Sequence, residues 1–469
     1  MKTKFISFSL TFILILSSWY LKSKPIPSEE KQRPNVILIM VDDLRPQLNC
    51  YGKNNIISPH IDEFSNHSYL YENAICNYPV CGASRASMLT GLRPNNERFK
   101  NYKSRIDEDA PNSPTIGFWL KKNGYYTISN GKITHVKKDS PESWSEPAWR
   151  AEKNWRDYQT KENILTANDN NGVASAFEIG ENIEDEYADV KMINKSIKDL
   201  KRLKEKNQPF FIGIGLLKPH LPFNAPKKYW DLYDSKDIQL AKNRFQPKNS
   251  PKICMHTYGE LRKYTNIPND KSLDIPDSTQ IKLIHGYNAC VSFIDNEIGR
   301  LIAELKKLEL YDNSLIIISG DHGWQLGEHN LWAKHSNFQT SLKTPLIIKE
   351  PHQKEGKKIK SIVELVDLYP SICDMCNIPI PENIDGKSLK SINKNDPLKS
   401  VGFSKYHKGW SITTNDYSYT EWINNKTKES IAEMYYDLSI DPQENSNVAK
   451  SNKSKIELIK PKLDSIRKL

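Results

Sequence analysis

Two adjacent carboxylates, Asp42 and Asp43, close one apolar run of the chain, and Asp321-His322 closes another. Carboxylate oxygens are hard ligands, and three of them beside one histidine suit Ca2+, or Mg2+, better than zinc. A divalent cation held there acts as a Lewis acid on an anionic oxygen. Lys132, Lys218, Lys334 and Arg85 are candidate clamps for a tetrahedral anion. His135 and His220 are a candidate acid and base. Together these groups would hydrolyse a sulfate or phosphate ester, but an ordinary nucleophile is missing. Cys81, in "PVCGASRASMLTG" (79–91), has no nearby CxxC partner. It is core filler, a thiol nucleophile or a precursor of something else.

Such residues work only if the fold gathers them. "NVILIMV" (35–41), "PFFIGIGLL" (209–217) and "NSLIIISG" (313–320) are apolar on both faces, as buried parallel strands are, and "GYYTISNG" (124–131) is a weaker version. Helical patterns lie between them, including 113–124, 189–206 and 281–310. Strands alternating with helices predict an α/β fold with a largely parallel sheet. Ligands bind at the carboxyl ends of such strands. Four of these ends carry Asp42-Asp43, Lys132 with His135, Lys218-Pro219-His220, and Asp321-His322. An Asp pair alone is often a helix cap, and a lone histidine is commonly a packing residue. Four strand ends converging on one rim outweigh those readings. Residues 137–190 show little periodicity and read as a surface excursion; "VELVDLYPSICDMCNIP" reads as an amphipathic helix. From about residue 396, alternating segments predict a small C-terminal α+β subdomain with antiparallel strands.

The chain has 469 residues and a formal net charge of +10, which fits an anionic ligand; no basic run or aromatic RNA-binding motif appears, so nucleic acid is not expected. "MKTK" followed by "FISFSLTFILILSSWYL" reads as a secretory signal. This divides the chain into a signal peptide (1–24), a linker (25–33), a catalytic domain (34–395) and the C-terminal subdomain (396–469). The protein is expected to be exported, periplasmic or secreted, without stable membrane insertion after signal cleavage. Seven cysteines, an odd number, leave at least one unpaired or modified. Cys373 and Cys376 form a CxxC that reads as a packed helix face.

"CGASR" with the downstream "LTG" (89–91) resembles the C-x-[PA]-S-R signature of type I sulfatases. "NVILIMVDDLRPQLNCYG", "GKITH", "GDHGWQLGEHNLWAKHSNF" and "YYDLSIDPQENSNVA" extend the resemblance over residues 34–447, on the side of iduronate-2-sulfatase and its bacterial relatives. Two positions depart from the usual pattern: Ala83 stands where proline is commoner, and Leu92 replaces an arginine. The resemblance implies an alkaline-phosphatase-like sandwich and a sulfatase acting on a sulfated saccharide such as a 2-O-sulfated uronate. It also implies that a maturation enzyme converts Cys81 to formylglycine, whose hydrate is the nucleophile. By the same resemblance, Asp42, Asp43, Asp321, His322 and the formylglycine from Cys81 hold Ca2+. Arg85 holds the formylglycine, and Lys132 and Lys334 clamp the sulfate. His135 is the base that expels sulfate, His220 is the general acid or a leaving-oxygen contact beside Lys334, and Lys218 is a candidate substrate-carboxylate contact. The alternatives are a phosphonate or phosphate ester hydrolase of the same superfamily, and a non-catalytic sulfated-glycan-binding protein with unconverted Cys81.

Overall fold

The seven strands of the main sheet are β1 (Asn35–Val41), β2 (Tyr69–Ile75), β3 (Tyr126–Gly131), β4 (Phe210–Leu216), β5 (Ser314–Gly320), β6 (Leu346–Lys349) and β7 (Lys357–Glu364). In this computed structural model, residues 33–152, 155–180, 186–391 and 401–467 are described. The signal peptide and linker expected over 1–33 lie outside them, apart from Arg33, as does the expected boundary at 395/396. The strand order is β7-β2-β6-β5-β1-β4-β3. Pairings β1–β4, β1–β5, β3–β4 and β2–β7 are parallel, and β6 is antiparallel to both neighbours. The sheet is therefore mostly parallel with one reversed strand. Residues 321–345 lie between β5 and β6, and the chain returns beside β5, where Gly320 N–H donates to the Pro345 carbonyl at 3.1 Å at the end of the antiparallel pair.

Alternation along β1 separates two cores. Ile37, Ile39 and Val41 belong to one apolar cluster, Val36, Leu38 and Met40 to the other. Helix α1 (Cys81–Thr90) lies on the second side. Helices α2 (Ala188–Lys204) and α3 (Asp277–Lys307) cover the first side, and α4 (Leu368–Met375) joins α1 on the second. Full burial of each large aliphatic side chain is worth roughly 1.5–3 kcal/mol, so helix cover on both faces is what keeps the central strands apolar throughout. The C-terminal part is a four-stranded antiparallel meander, β8 (Gly402–Tyr406), β9 (Gly409–Thr413), β10 (Tyr417–Ile423) and β11 (Ser430–Asp437), followed by α5 (Lys453–Arg467). It is tied to the segment before α1 by Ser404 Oγ donating to the Cys76 carbonyl and Asn77 Nδ2 donating to the Phe403 carbonyl.

Two local expectations are corrected. The segment read as one amphipathic helix is split: residues through Glu364 extend β7, and the helix begins at Leu368 after a 3-10 turn. Glu364 and Asp367 form a reciprocal capping box there, which sets the boundary. The described residues of 137–190 carry more regular structure than a surface excursion. They contain a helix, Lys161–Asp169, and a strand, Phe177–Gly180, that pairs with Phe223–Pro226. Buried Glu178 organises the turn by accepting from Gln159 N, Thr160 N and Oγ1, and Asn163 Nδ2. All seven cysteines are buried and none is in a disulfide, and Cys373 and Cys376 lie in the second core.

Candidate active site

β1 ends directly into Asp42 and Asp43. Asp42 N–H donates to the Leu216 carbonyl of β4, and Asp43 turns the chain with φ +61°. β5 delivers Asp321 and His322, and Asp43 N–H donates to Asp321 Oδ1 at 3.1 Å, joining the two strand ends. β3 ends at Gly131, whose φ of +81° lets the chain swing Lys132 over the rim; a Cβ there would lie 2.1 Å from the Gly215 carbonyl oxygen. Cys81 opens α1. The following Gly82 admits the Tyr102 backbone, whose carbonyl oxygen would sit 2.2 Å from any Cβ.

These elements converge. Asp42, Asp43, Asp321 and His322 are fully buried. Arg85 reaches from the second turn of α1, with Nε donating to Asp321 Oδ2 at 2.8 Å and Nη2 to Asp42 Oδ1 at 2.9 Å; Nη1 donates to the Lys132 carbonyl. Lys132 Nζ pairs with the other Asp42 oxygen. Lys334 Nζ donates to both Asp43 oxygens at 3.0 Å. Cys81 Sγ lies at the centre, 3.2 Å from His322 Nε2 and 3.8 Å from Asp43 Oδ1. His322 Nδ1 donates to the Gly323 carbonyl at 2.9 Å, which turns Nε2 toward the cluster. His220 is fixed likewise by the Leu221 carbonyl at 2.7 Å, and its Nε2 is 3.8 Å from Asp43 Oδ2. His135 packs its ring edge-on against Tyr102, with centroids 6.2 Å apart.

Burial by itself would raise the Asp42 carboxyl; Lys132 and Arg85 beside it outweigh that and hold it well below the usual carboxylate range. Burial would likewise discharge Lys334, but Asp43 keeps its ammonium well above the ordinary lysine value. Burial, reinforced by Asp42, pushes the Cys81 thiol well up, so an unmodified thiolate is disfavoured. Burial and the charge on Lys132 lower His135 to about 2, leaving it a neutral base.

That shift has a stability signature. Below about pH 6.5 the unfolded chain protonates this imidazole while the folded chain does not. The contribution of His135 is therefore complete above about pH 6.5 and falls on acidification, with a limiting slope of about 1.4 kcal/mol per pH unit. In metal-free protein, His135→Asn is expected to lose less unfolding free energy than the wild type between about pH 6.5 and about pH 4.5. Urea titrations at the two pH values read this directly, and parallel losses would contradict it.

The oxygen, nitrogen and sulfur atoms of Asp42, Asp43, Cys81 and His220, and those of Cys81, Asp321 and His322, lie within 4.8 Å of one another. This donor set fits a hard divalent cation such as Ca2+: three carboxylates supply oxygen, and His322 Nε2 faces them. Every residue expected at the site is at or beside this cluster except Lys218, which is corrected. Its ammonium is buried and donates to the carbonyls of Trp155, His220 and Pro222, so it braces the His220 turn instead of facing a ligand. Arg85 gives its donors to Asp42, Asp321 and the Lys132 carbonyl. Sequence reading missed Glu260, whose Oε1 is 3.0 Å from Lys334 Nζ and 3.3 Å from His220 Nε2. It sits in a loop without periodicity, and only the closed fold brings it to the site.

The geometry can be set beside known proteins. The sulfatase family model matches residues 34–378, and that of the N-sulphoglucosamine sulphohydrolase C-terminal region matches 327–468. The chain belongs to the sulfatase family. Within that family it is 30% identical to human iduronate 2-sulfatase, with 88% of this chain and 90% of the relative covered. A sulfatase of Formosa agariphila is 29% identical, with coverage of 98% and 91%. Among solved structures, one in complex with its substrate D-glucosamine-2-N,6-O-disulfate superposes with a TM-score of 0.73 at 20% identity, covering 93% of this chain and 99% of that one. A phosphonate monoester hydrolase of Agrobacterium radiobacter gives 0.75 at 19% identity, covering 93% and 95%. These likenesses bear out the α/β sandwich with a mostly parallel sheet, and family membership makes the chain a sulfuric ester hydrolase. Among the described residues, no helix of this sulfatase is long and apolar enough to cross a membrane.

Proposed function

We propose that the protein is an exported, Ca2+-dependent exo-sulfatase acting on a sulfated saccharide, with a 2-O-sulfated uronate as the first candidate substrate. The observation that carries this reading is the place of Cys81 Sγ, at the opening of α1, 3.2 Å from His322 and within reach of Asp43. Similarity to iduronate 2-sulfatases over most of the chain supports the substrate class. Conversion of Cys81 by a formylglycine-generating enzyme would supply a hydrated aldehyde as nucleophile, and Ca2+ held by Asp42, Asp43, Asp321 and His322 would supply Lewis-acid polarisation.

The chain's own residues do the rest. Lys132 and Lys334 attract and orient the sulfate, and both remain charged because each faces an aspartate. Lys334 Nζ gives the leaving sugar oxygen its proton, with His220 Nε2 a contact beside it. Neutral His135 takes the proton whose loss releases sulfate. Acid–base assistance of this kind is typically worth ~10²–10⁴-fold.

Charge supports a sulfate ester over a phosphate monoester. Asp42, Asp43, Asp321 and Glu260 carry four negative charges, against three positive ones on Arg85, Lys132 and Lys334. A divalent cation leaves the site with one positive charge. That matches a sulfate monoester, a monoanion; a dianionic phosphate monoester would leave an unbalanced buried charge. Converted protein is expected to prefer 4-nitrophenyl sulfate over 4-nitrophenyl phosphate by ~10²-fold or more in kcat/KM. Equal rates, or faster cleavage of a phosphonate monoester, would move the assignment to a phosphoryl or phosphonyl hydrolase. Binding of a 2-O-sulfated uronyl disaccharide without turnover would move it to a glycan-binding protein.

A further inference from the structure

Glu260 is a carboxylate placed where the preceding account needs none. Lys334 already has a counter-ion in Asp43, which accepts from it through both oxygens. A second carboxylate on the same ammonium is redundant as charge balance and unfavourable toward an incoming anion. Its loop is nevertheless built to hold it there. Arg262, 4% exposed, uses every guanidinium nitrogen on that loop. Nε donates to the Thr257 carbonyl, Nη1 to the carbonyls of Pro268 and Asp270, and Nη2 to Tyr258 Oη and the Leu273 carbonyl. A buried arginine consumed by loop carbonyls fixes the backbone on both sides of Glu260.

The carboxylate is held with one oxygen engaged and one unused. Oε1 touches Lys334 and His220, the two groups assigned to the leaving oxygen. Oε2 is buried and has no hydrogen-bond partner among the described residues; His335 Nδ1 is 3.9 Å away, beyond bonding distance. A buried acceptor in that state is costly unless a donor arrives with the ligand. A donor on the leaving group meets that need, because Glu260 contacts Lys334 and His220, the two groups assigned to the leaving oxygen.

The geometry points to Glu260 as a specificity-determining residue on the leaving-group side, accepting a hydrogen bond from a hydroxyl adjacent to the scissile ester. The site then favours a sugar with a free vicinal hydroxyl and disfavours one with a carboxylate or second sulfate at that position. This rests on the sulfatase reading above. A site built around a hydroxyl rejects ligands that lack it far better than an apolar pocket does.

The test compares wild type with Glu260→Gln, both shown by mass to carry the aldehyde at residue 81. Two substrates are used: the methyl glycoside of a 2-O-sulfated uronic acid with a free 3-hydroxyl, and 4-nitrophenyl sulfate, whose leaving group has no hydroxyl beside the ester. The ratio of kcat/KM, sugar over aryl, is expected to fall about tenfold or more in the variant, with the loss on the sugar falling mainly in KM. An unchanged ratio, with both substrates losing kcat together, would overturn the inference and make Glu260 a positioning residue for His220 and Lys334. Wild type that cleaves the aryl sulfate and not the sugar would overturn it as well. Wild type that cleaves neither sulfate would defeat the sulfatase reading itself.

Discussion

Cys81→Ala protein is expected to release no sulfate above background, a fall of about 10⁵-fold or more in kcat, the scale at which removal of a covalent nucleophile acts. The residue sits between His322 and Asp43. Ser84, the nearest serine in sequence, donates to the Asp321 carbonyl and is committed to the backbone. Stability should hardly change, because the substitution removes one sulfur atom from a packed site and leaves the ion pairs of Asp42 and Asp321 intact. Sulfate release measured beside thermal unfolding separates the two effects. Cys81→Ala protein that keeps even a hundredth of the wild-type turnover would place the nucleophile elsewhere.

Arg85→Leu is expected to destabilise metal-free protein by about 3–5 kcal/mol. Both partners of Arg85 are fully buried carboxylates, and it pairs with them at 2.8 and 2.9 Å. Leucine fills part of the volume but leaves Asp321 without its cation and Asp42 with Lys132 alone. Breaking a buried pair from one side costs more than the pair contributes, because the abandoned charge stays out of water. Added Ca2+ should recover part of the loss, since it supplies positive charge to the same carboxylates. Guanidinium denaturation with chelator and with excess Ca2+ reads both terms. A variant as stable as wild type in chelator would show that these carboxylates are not ionised together in the folded chain.

Much of this site was readable because strand ends announce themselves. β1, β4 and β5 are apolar on both faces, so the polar residues that stop them mark the rim: Asp42-Asp43, His220 and Asp321-His322. What failed to show was direction and closure. β6, "LIIK", reads as an apolar run like the parallel strands β1, β4 and β5, and nothing in four residues tells that it runs backwards. Lys218 was misread because a lysine at a strand end looks like a clamp, whereas its side chain turns back onto three carbonyls. Glu260 and its Arg262 brace were invisible for the opposite reason. They lie in a loop whose shape is written in hydrogen bonds to its own backbone, and a loop has no period to read.

The central claim is that Cys81 is a precursor and that the pocket around it is shaped for the converted residue. Its most direct test is the mass of the peptide containing residue 81, from protein co-expressed with a formylglycine-generating enzyme. The account predicts the mass of the aldehyde or its hydrate at this one cysteine, with Cys50, Cys76, Cys254, Cys290, Cys373 and Cys376 unchanged. An unmodified thiol at residue 81, under conditions in which a control sulfatase is fully converted, would contradict it. Ala83 and Leu92, the two departures in the flanking signature, would then be the first positions to restore.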